Sequence, residues 1–184
     1  MILIINICKE KLHYLEFVRP VEDILKKNKI NYSVKFYKEI TTKDLDRADK
    51  VIICGTSLKD NEFMENLDKF NWLGKFDKPI LGICGGMQVI GRIFAGKKGQ
   101  KTEIGFFKEF FDNDFLGISA GESIEVYHLH NYHVYFSSMK EFNVYSISNE
   151  DVSQAVKHKT KEIYGVLFHP EVRQKNIIEN FVRL

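Results

Sequence analysis

The chain has 184 residues, enough for one α/β domain with a substantial core. Hydrophobic residues at 44% and only three prolines exclude a disordered chain. The balance of 27 basic against 25 acidic residues leaves +2, too little charge for a nucleic-acid surface. No stretch reaches transmembrane length, and the chain opens on the apolar run "MILIINI" with nothing resembling a signal peptide. Its three cysteines, Cys8, Cys54 and Cys84, each sit at or near the end of an apolar run. An odd number so placed is no disulfide framework, and a reducing cytoplasm is expected.

Ile2–Ile7 is a continuous apolar run, as in a strand buried on both faces. "EFVRPVEDILKKNK" carries Phe17, Val21, Ile24 and Leu25 on one helical face, and Pro20 must sit in its first turn or break it. "YSVKFY" alternates as a strand does, "TTKDLDRAD" predicts a short capped helix, and "KVIICG" a second buried strand. "KDNEFMENLDKF" is amphipathic, and "KPILGIC" predicts a third buried strand. Strands alternating with helices imply a doubly wound, mostly parallel sheet. After about residue 97 the texture changes. "SIEVYHLH", "HVYFSS", "NVYSIS", "SQAVKHK" and "YGVLFHP" read as short strands of a small antiparallel extension, while "GKKGQK" reads as a solvated loop. Val172, Ile177, Ile178 and Phe181 have near-helical spacing and should pack a last helix on the sheet. No linker or repeat interrupts the chain, so residues 1–184 are expected to form one domain.

The stretch "PILGICGGMQVIGRIFAG" places Cys84 where an apolar strand turns into a helix. Ligands of open α/β sheets bind beyond the carboxyl ends of the strands, and Cys84 falls there. Gly82, Gly85 and Gly86 leave room for a strained turn, and the free amides of the following helix favour a thiolate and can face a developing oxyanion. Spacing alone leaves two readings open: a nucleophile, or an anion-binding loop with a bystander cysteine. A nucleophile needs a base, and the base an orienting acceptor. "IYGVLFHPEV" supplies His169 at the end of a strand that Pro170 stops, with Glu171 two residues on.

Together "GICGGMQ" and "FHPE" resemble the class I glutamine amidotransferases, the triad glutaminases, in which a G-x-C-x-G-x-Q elbow pairs with a late F-H-P-E. The resemblance covers nearly the whole chain and implies a flavodoxin-like α/β fold. It implies Cys84 as nucleophile, His169 as general base and acid, and Glu171 as its orienting partner. The oxyanion hole would use the backbone amides of Gly85 and of the earlier "ICGTS" loop at Gly55. Gln88 would contact bound glutamine, and His130, Asn131 and Tyr132 of "HLHNYHV" would hold its amino-acid end. The substrate implied is L-glutamine, with no metal or organic cofactor. Ammonia would pass to a separate synthase subunit, the last segment leaning towards a two-subunit GMP synthetase. The alternatives on this scaffold are a γ-glutamyl peptide hydrolase and a non-enzymatic regulatory subunit.

The sequence departs from the family pattern in places. "GTSL" stands where G-G-P-G is common, and Gly85 where Leu is frequent. In "HLHNYH", His128, His130 and His133 suggest a metal site, but no companion cysteine or carboxylate lies at ligand spacing, so exposed or partly buried histidines are expected. The aromatic run "GFFKEFF" suggests core packing or a partner-facing patch.

Overall fold

β1 (Ile2–Asn6) is buried because strands pair on both of its edges. The computed structural model describes residues 1–184. After β1 come α1 (Lys11–His13), a π-helical turn over Tyr14–Val18, and α2 (Arg19–Lys27), which continues directly from that turn with Pro20 as its second residue. β2 (Tyr32–Phe36) leads to α3 (Thr42–Arg47), opened by a reciprocal capping box between Thr41 and Asp44. β3 (Lys50–Ile53) follows. The amphipathic stretch after it forms a single turn, α4 (Glu62–Glu65), and a 3₁₀ segment over Leu67–Lys75 that buries Phe70 and Leu73.

β4 (Ile80–Ile83) runs into α5 (Gly85–Ile93) through Cys84. Then come β5 (Lys98–Phe110), β6 (Ser123–Val134), β7 (Phe142–Ser148), β8 (Val152–His158), β9 (Ile163–Val166) and α6 (Asn176–Arg183). Seven strands form one sheet in the order β2-β1-β3-β4-β9-β8-β7. The first five are parallel, the doubly wound order of flavodoxin-like folds, and β8 and β7 extend the sheet antiparallel.

Alternation along β1 divides the core between two faces. Ile2 and Ile4 pack with α2 and α6, through Val21, Leu25, Ile178 and Phe181. Leu3 and Ile5 pack with α5 and the 3₁₀ segment, through Val89, Ile90, Phe70 and Leu73.

Three expectations need correction. "GKKGQK" is not a loop: from Lys98 it is strand, because Lys98, Gly99 and Gln100 pair with Val134, His133 and Tyr132. "SIEVYHLH" and the start of "HVYFSS" are one strand, β6, which forms with β5 a hairpin separate from the main sheet. Val172 lies outside the last helix and is exposed, since the turn after His169 delays helix formation to Asn176.

Candidate active site

Cys84 stands at the carboxyl end of β4 with φ 48° and ψ −104°, a conformation that costs a side-chain-bearing residue about 1–3 kcal/mol. The turn is held by Cys84 N–H donating to the Val166 carbonyl (2.8 Å) and Gln88 N–H donating to the Cys84 carbonyl (3.0 Å). Gly86 has to be glycine, because a Cβ there would lie 2.2 Å from the Ile53 carbonyl oxygen. The thiol is buried and donates to the Leu129 carbonyl at 3.6 Å.

β9 is the neighbour of β4, so its end brings His169 to the same edge. His169 N–H donates to the Tyr127 carbonyl, and the imidazole Nδ1 lies 2.7 Å from Glu171 Oε1. Both side chains are fully buried, with Phe17 against the ring. Burial alone would lower the His169 pKa. The Glu171 carboxylate and the Cys84 sulfur outweigh it and hold the imidazole well above its ordinary value. With Nδ1 committed to Glu171, the buried Nε2 has no hydrogen-bond partner and is free to exchange a proton. Gly55 closes the third side. A Cβ on it would come within 2.7 Å of the His169 ring and 3.3 Å of Cys84 Cβ, so the "ICGTS" loop reaches the pair only because it carries glycine.

The sequence-derived residues are therefore brought together, with one exception. Cys84, Gly85, Gln88, Asn131 and Tyr132 line a common cavity, and Gln88 Nε2 donates to the Tyr132 carbonyl (2.8 Å). The His130 side chain does not join them. Residues 128 and 130 face one way on β6 and 129 and 131 the other, so its ring turns to Glu103, 2.9 Å away. His130 can reach a ligand in the cavity only through its backbone. The expectation of exposed or partly buried histidines also fails: His128, His130 and His133 are all buried, and the hairpin supplies the carboxylate that linear spacing did not. Cys8 and Cys54 are buried; burial pushes the Cys8 thiol up to about 12 and the Cys54 thiol well above its ordinary value, so neither competes as a thiolate.

Sequence reasoning missed the roof of the cavity. Thr56–Asn61 folds over Cys84 and leaves about 20 Å³, room for roughly one water. Buried Asp60 fastens this loop by accepting from Lys9 N–H (2.7 Å) and the Thr56 hydroxyl (2.8 Å). Asn131 Nδ2 fastens it from the other side by donating to the Leu58 carbonyl (3.2 Å). The paired polar residues Thr56 and Asp60, four apart beside the glycine, were the available signal.

Fold and site together define an open α/β protein with a strained cysteine elbow facing a buried histidine–carboxylate pair. The profile of the class I glutamine amidotransferases matches residues 13–183, and the chain belongs to that family. It is 34% identical over 134 residues to one subunit of the glutamine-hydrolysing GMP synthase of Pyrococcus abyssi, an alignment covering 67% of this chain and 65% of that protein, just under two thirds of its length. It is 31% identical over 179 residues to the corresponding GMP synthase subunit of Methanosarcina mazei, covering 93% and 87%. Among solved structures, a protein from Thermoplasma acidophilum described as a GMP synthase subunit superposes with a TM-score of 0.85 at 22% identity, over 99% of this chain and 92% of that one. A glutamine amidotransferase of Thermotoga maritima gives 0.71 at 18%, over 99% and 82%. These two likenesses establish the shared fold.

No helix is long and apolar enough to cross a membrane.

Proposed function

We propose that this chain hydrolyses the side-chain amide of L-glutamine and delivers the ammonia to a separate synthase subunit. The observation that carries the reading is the buried His169–Glu171 pair, 2.7 Å apart, set against a strained cysteine at a helix N-terminus. His169 takes the Cys84 proton as sulfur attacks the amide carbon. The oxyanion so formed faces the N–H of Gly85, an amide of the first helical turn with no intrahelical partner, and the backbone of Gly55 across the cavity. The carbon–nitrogen bond breaks as His169 returns the proton to nitrogen, releasing ammonia and leaving a γ-glutamyl thioester. Water then attacks the thioester, giving up its proton to His169, and glutamate leaves as the thiol is restored. Glu171 keeps the proton on Nδ1, so that Nε2 does the transfers. Asn131, Tyr132 and the His130 backbone receive the amino-acid end of glutamine, and Gln88 fixes the Tyr132 carbonyl.

The relatives named as GMP synthase subunits support a GMP-forming synthase as the ammonia acceptor. The unpaired cysteines support a reducing cytoplasm. A γ-glutamyl peptide hydrolase would require the roof to move further than glutamine alone demands.

Alkylation by a glutamine analogue with an electrophile at the amide position tests the assignment. Mass spectrometry is expected to place the adduct on Cys84, and His169→Ala to lower turnover by ~10²–10⁴-fold. An adduct on Cys8 or Cys54 with Cys84 free would overturn it.

A further inference from the structure

On the side of β6 opposite the cavity, β5 and β6 enclose a group of buried ionisable side chains that glutamine chemistry does not use. A register shift between Gln100 and Glu103 re-aims β5, so that Glu103 lies opposite His130. Glu103 Oε2 is then 2.9 Å from His130 Nε2 and 3.2 Å from His128 Nδ1, and these two nitrogens are 3.3 Å apart. All three residues are buried.

Those three separations nearly match the edges of one face of a tetrahedron around a cation. Bonds of ~2.0–2.1 Å place tetrahedral ligand atoms about 3.3–3.4 Å apart. Two imidazoles and a carboxylate are also the donor set of known three-ligand zinc sites. The surroundings supply further parts of such a site at His128, while His130 Nδ1 has no partner. A metal-binding histidine is oriented by a carboxylate on its other nitrogen, and His128 Nε2 lies 3.2 Å from Glu109 Oε1. Glu109 is itself held by the Ser146 hydroxyl (3.2 Å), and Glu103 by Gln154 Nε2 (2.8 Å). A cleft of about 510 Å³ with Glu103, Glu109 and Ser148 on its wall provides an entry path and a source of water for a fourth position.

We propose that Glu103, His128 and His130 bind a four-coordinate divalent transition cation of the zinc class, completed by one water. The cation braces the catalytic wall and takes no part in amide hydrolysis. His130 lies between Leu129, whose carbonyl receives the Cys84 thiol, and Asn131, which ties down the roof of the cavity. Joining His130 to β5 fixes the register of that strand and so the placement of both groups.

The test uses the full chain, stripped of metal by a chelator, in a Cys84→Ala background that removes the one thiol in the catalytic cavity. Titration with Co²⁺ is expected to develop the strong visible ligand-field bands of a four-coordinate ion, saturating at one equivalent, with Zn²⁺ displacing it. Glu103→Gln and His128→Asn should abolish the bands. Glu109→Gln keeps all three ligands and should weaken Co²⁺ affinity by about 10–100-fold, an effect that a purely structural carboxylate would not produce. Should the ligand variants fail to fold, ¹⁵N NMR of the unsubstituted chain decides: Zn²⁺ should shift His128 Nδ1 and His130 Nε2. Only the weak spectrum of aquated Co²⁺, undiminished binding in His128→Asn, or shifts confined to His13 or His169 would each overturn the proposal.

Discussion

Cys84 combines the chemistry and the strain of this site in one residue. Its φ of 48° persists because β4, held on Val166, and α5, held on the Cys84 carbonyl, determine the turn from both sides. Glycine at this position would relieve the strain at the loss of a small thiol. Cys84→Gly is therefore expected to abolish turnover and to raise unfolding stability by up to about 1–3 kcal/mol, less what the lost sulfur packing contributed. Chemical denaturation checks this against Cys84→Ala, which loses the sulfur but keeps the Cβ, and a Cys84→Gly protein less stable than Cys84→Ala would refute a strained elbow. Glu171→Gln belongs to the same scale. It removes the charge that offsets burial of His169, so turnover should fall by less than in His169→Ala, and the acid limb of the rate–pH profile should move to lower pH.

Among the elements, the β8–β9 turn carries its own titrating group. His158 Nδ1 accepts the backbone N–H of Thr160 (3.2 Å) and Lys161 (3.1 Å), and its ring packs between Phe94 and Phe142. Burial, then the nearby Lys161 charge, lowers its pKa, against a weaker opposing pull from Glu141. A histidine lowered in the folded state binds its proton more tightly when unfolded. The stability it contributes is complete above the unfolded value of ~6.5 and is lost as pH falls from there to the lowered folded value. Thermal melts between pH 7.5 and 5 should show this loss, and His158→Asn, whose side-chain oxygen can still accept an amide, should flatten part of it. Unchanged pH dependence in that variant would refute the role. The loop over Cys84 is the other element with a separable function. Asn131→Ala removes one of its ties while leaving Asp60 in place, so glutaminase kcat should rise severalfold while KM rises from the lost glutamine contact, a split that steady-state kinetics would register.

For the whole molecule the narrowness of the cavity matters most. A site with about 20 Å³ at its nucleophile has to widen before glutamine enters, and under the proposed function a subunit whose ammonia serves a partner gains nothing from idle hydrolysis. Docking of the synthase is expected to displace Thr56–Asn61 and complete the oxyanion hole at Gly55. One missing oxyanion donor lowers turnover by about 10²–10³-fold, so the isolated chain should be slow by that order and recover when the partner is added. Glutaminase assays with and without the synthase decide this, and equal rates would make the loop a passive cover. The side chains of Phe106, Phe107 and Phe110 on β5 are exposed while Phe111 is buried, which settles the aromatic run "GFFKEFF" against core packing for most of its length.

The sequence by itself determined a doubly wound, mostly parallel sheet and put Cys84 and His169 at the ends of two of its strands, with Glu171 just beyond. Each of these is written locally: buried strands as apolar runs, the elbow as glycines around a cysteine, and the pair as two residues flanking a proline. Strand ends at one edge of a sheet converge, so these local signals suffice to bring the three residues to one edge. Pairing across a hairpin has no such local signature. Lys98–Gln100 became strand only through its partner β6, and Glu103 met His130 only through a shift of register. Which face of β6 looks into the cavity then followed from alternation, and it sent the His130 ring away from the position expected for it. Tertiary structure alone decided the roof over Cys84 as well, because its ties run from Lys9 to Asp60 and from Asn131 to Leu58, between segments that only the folded sheet brings together.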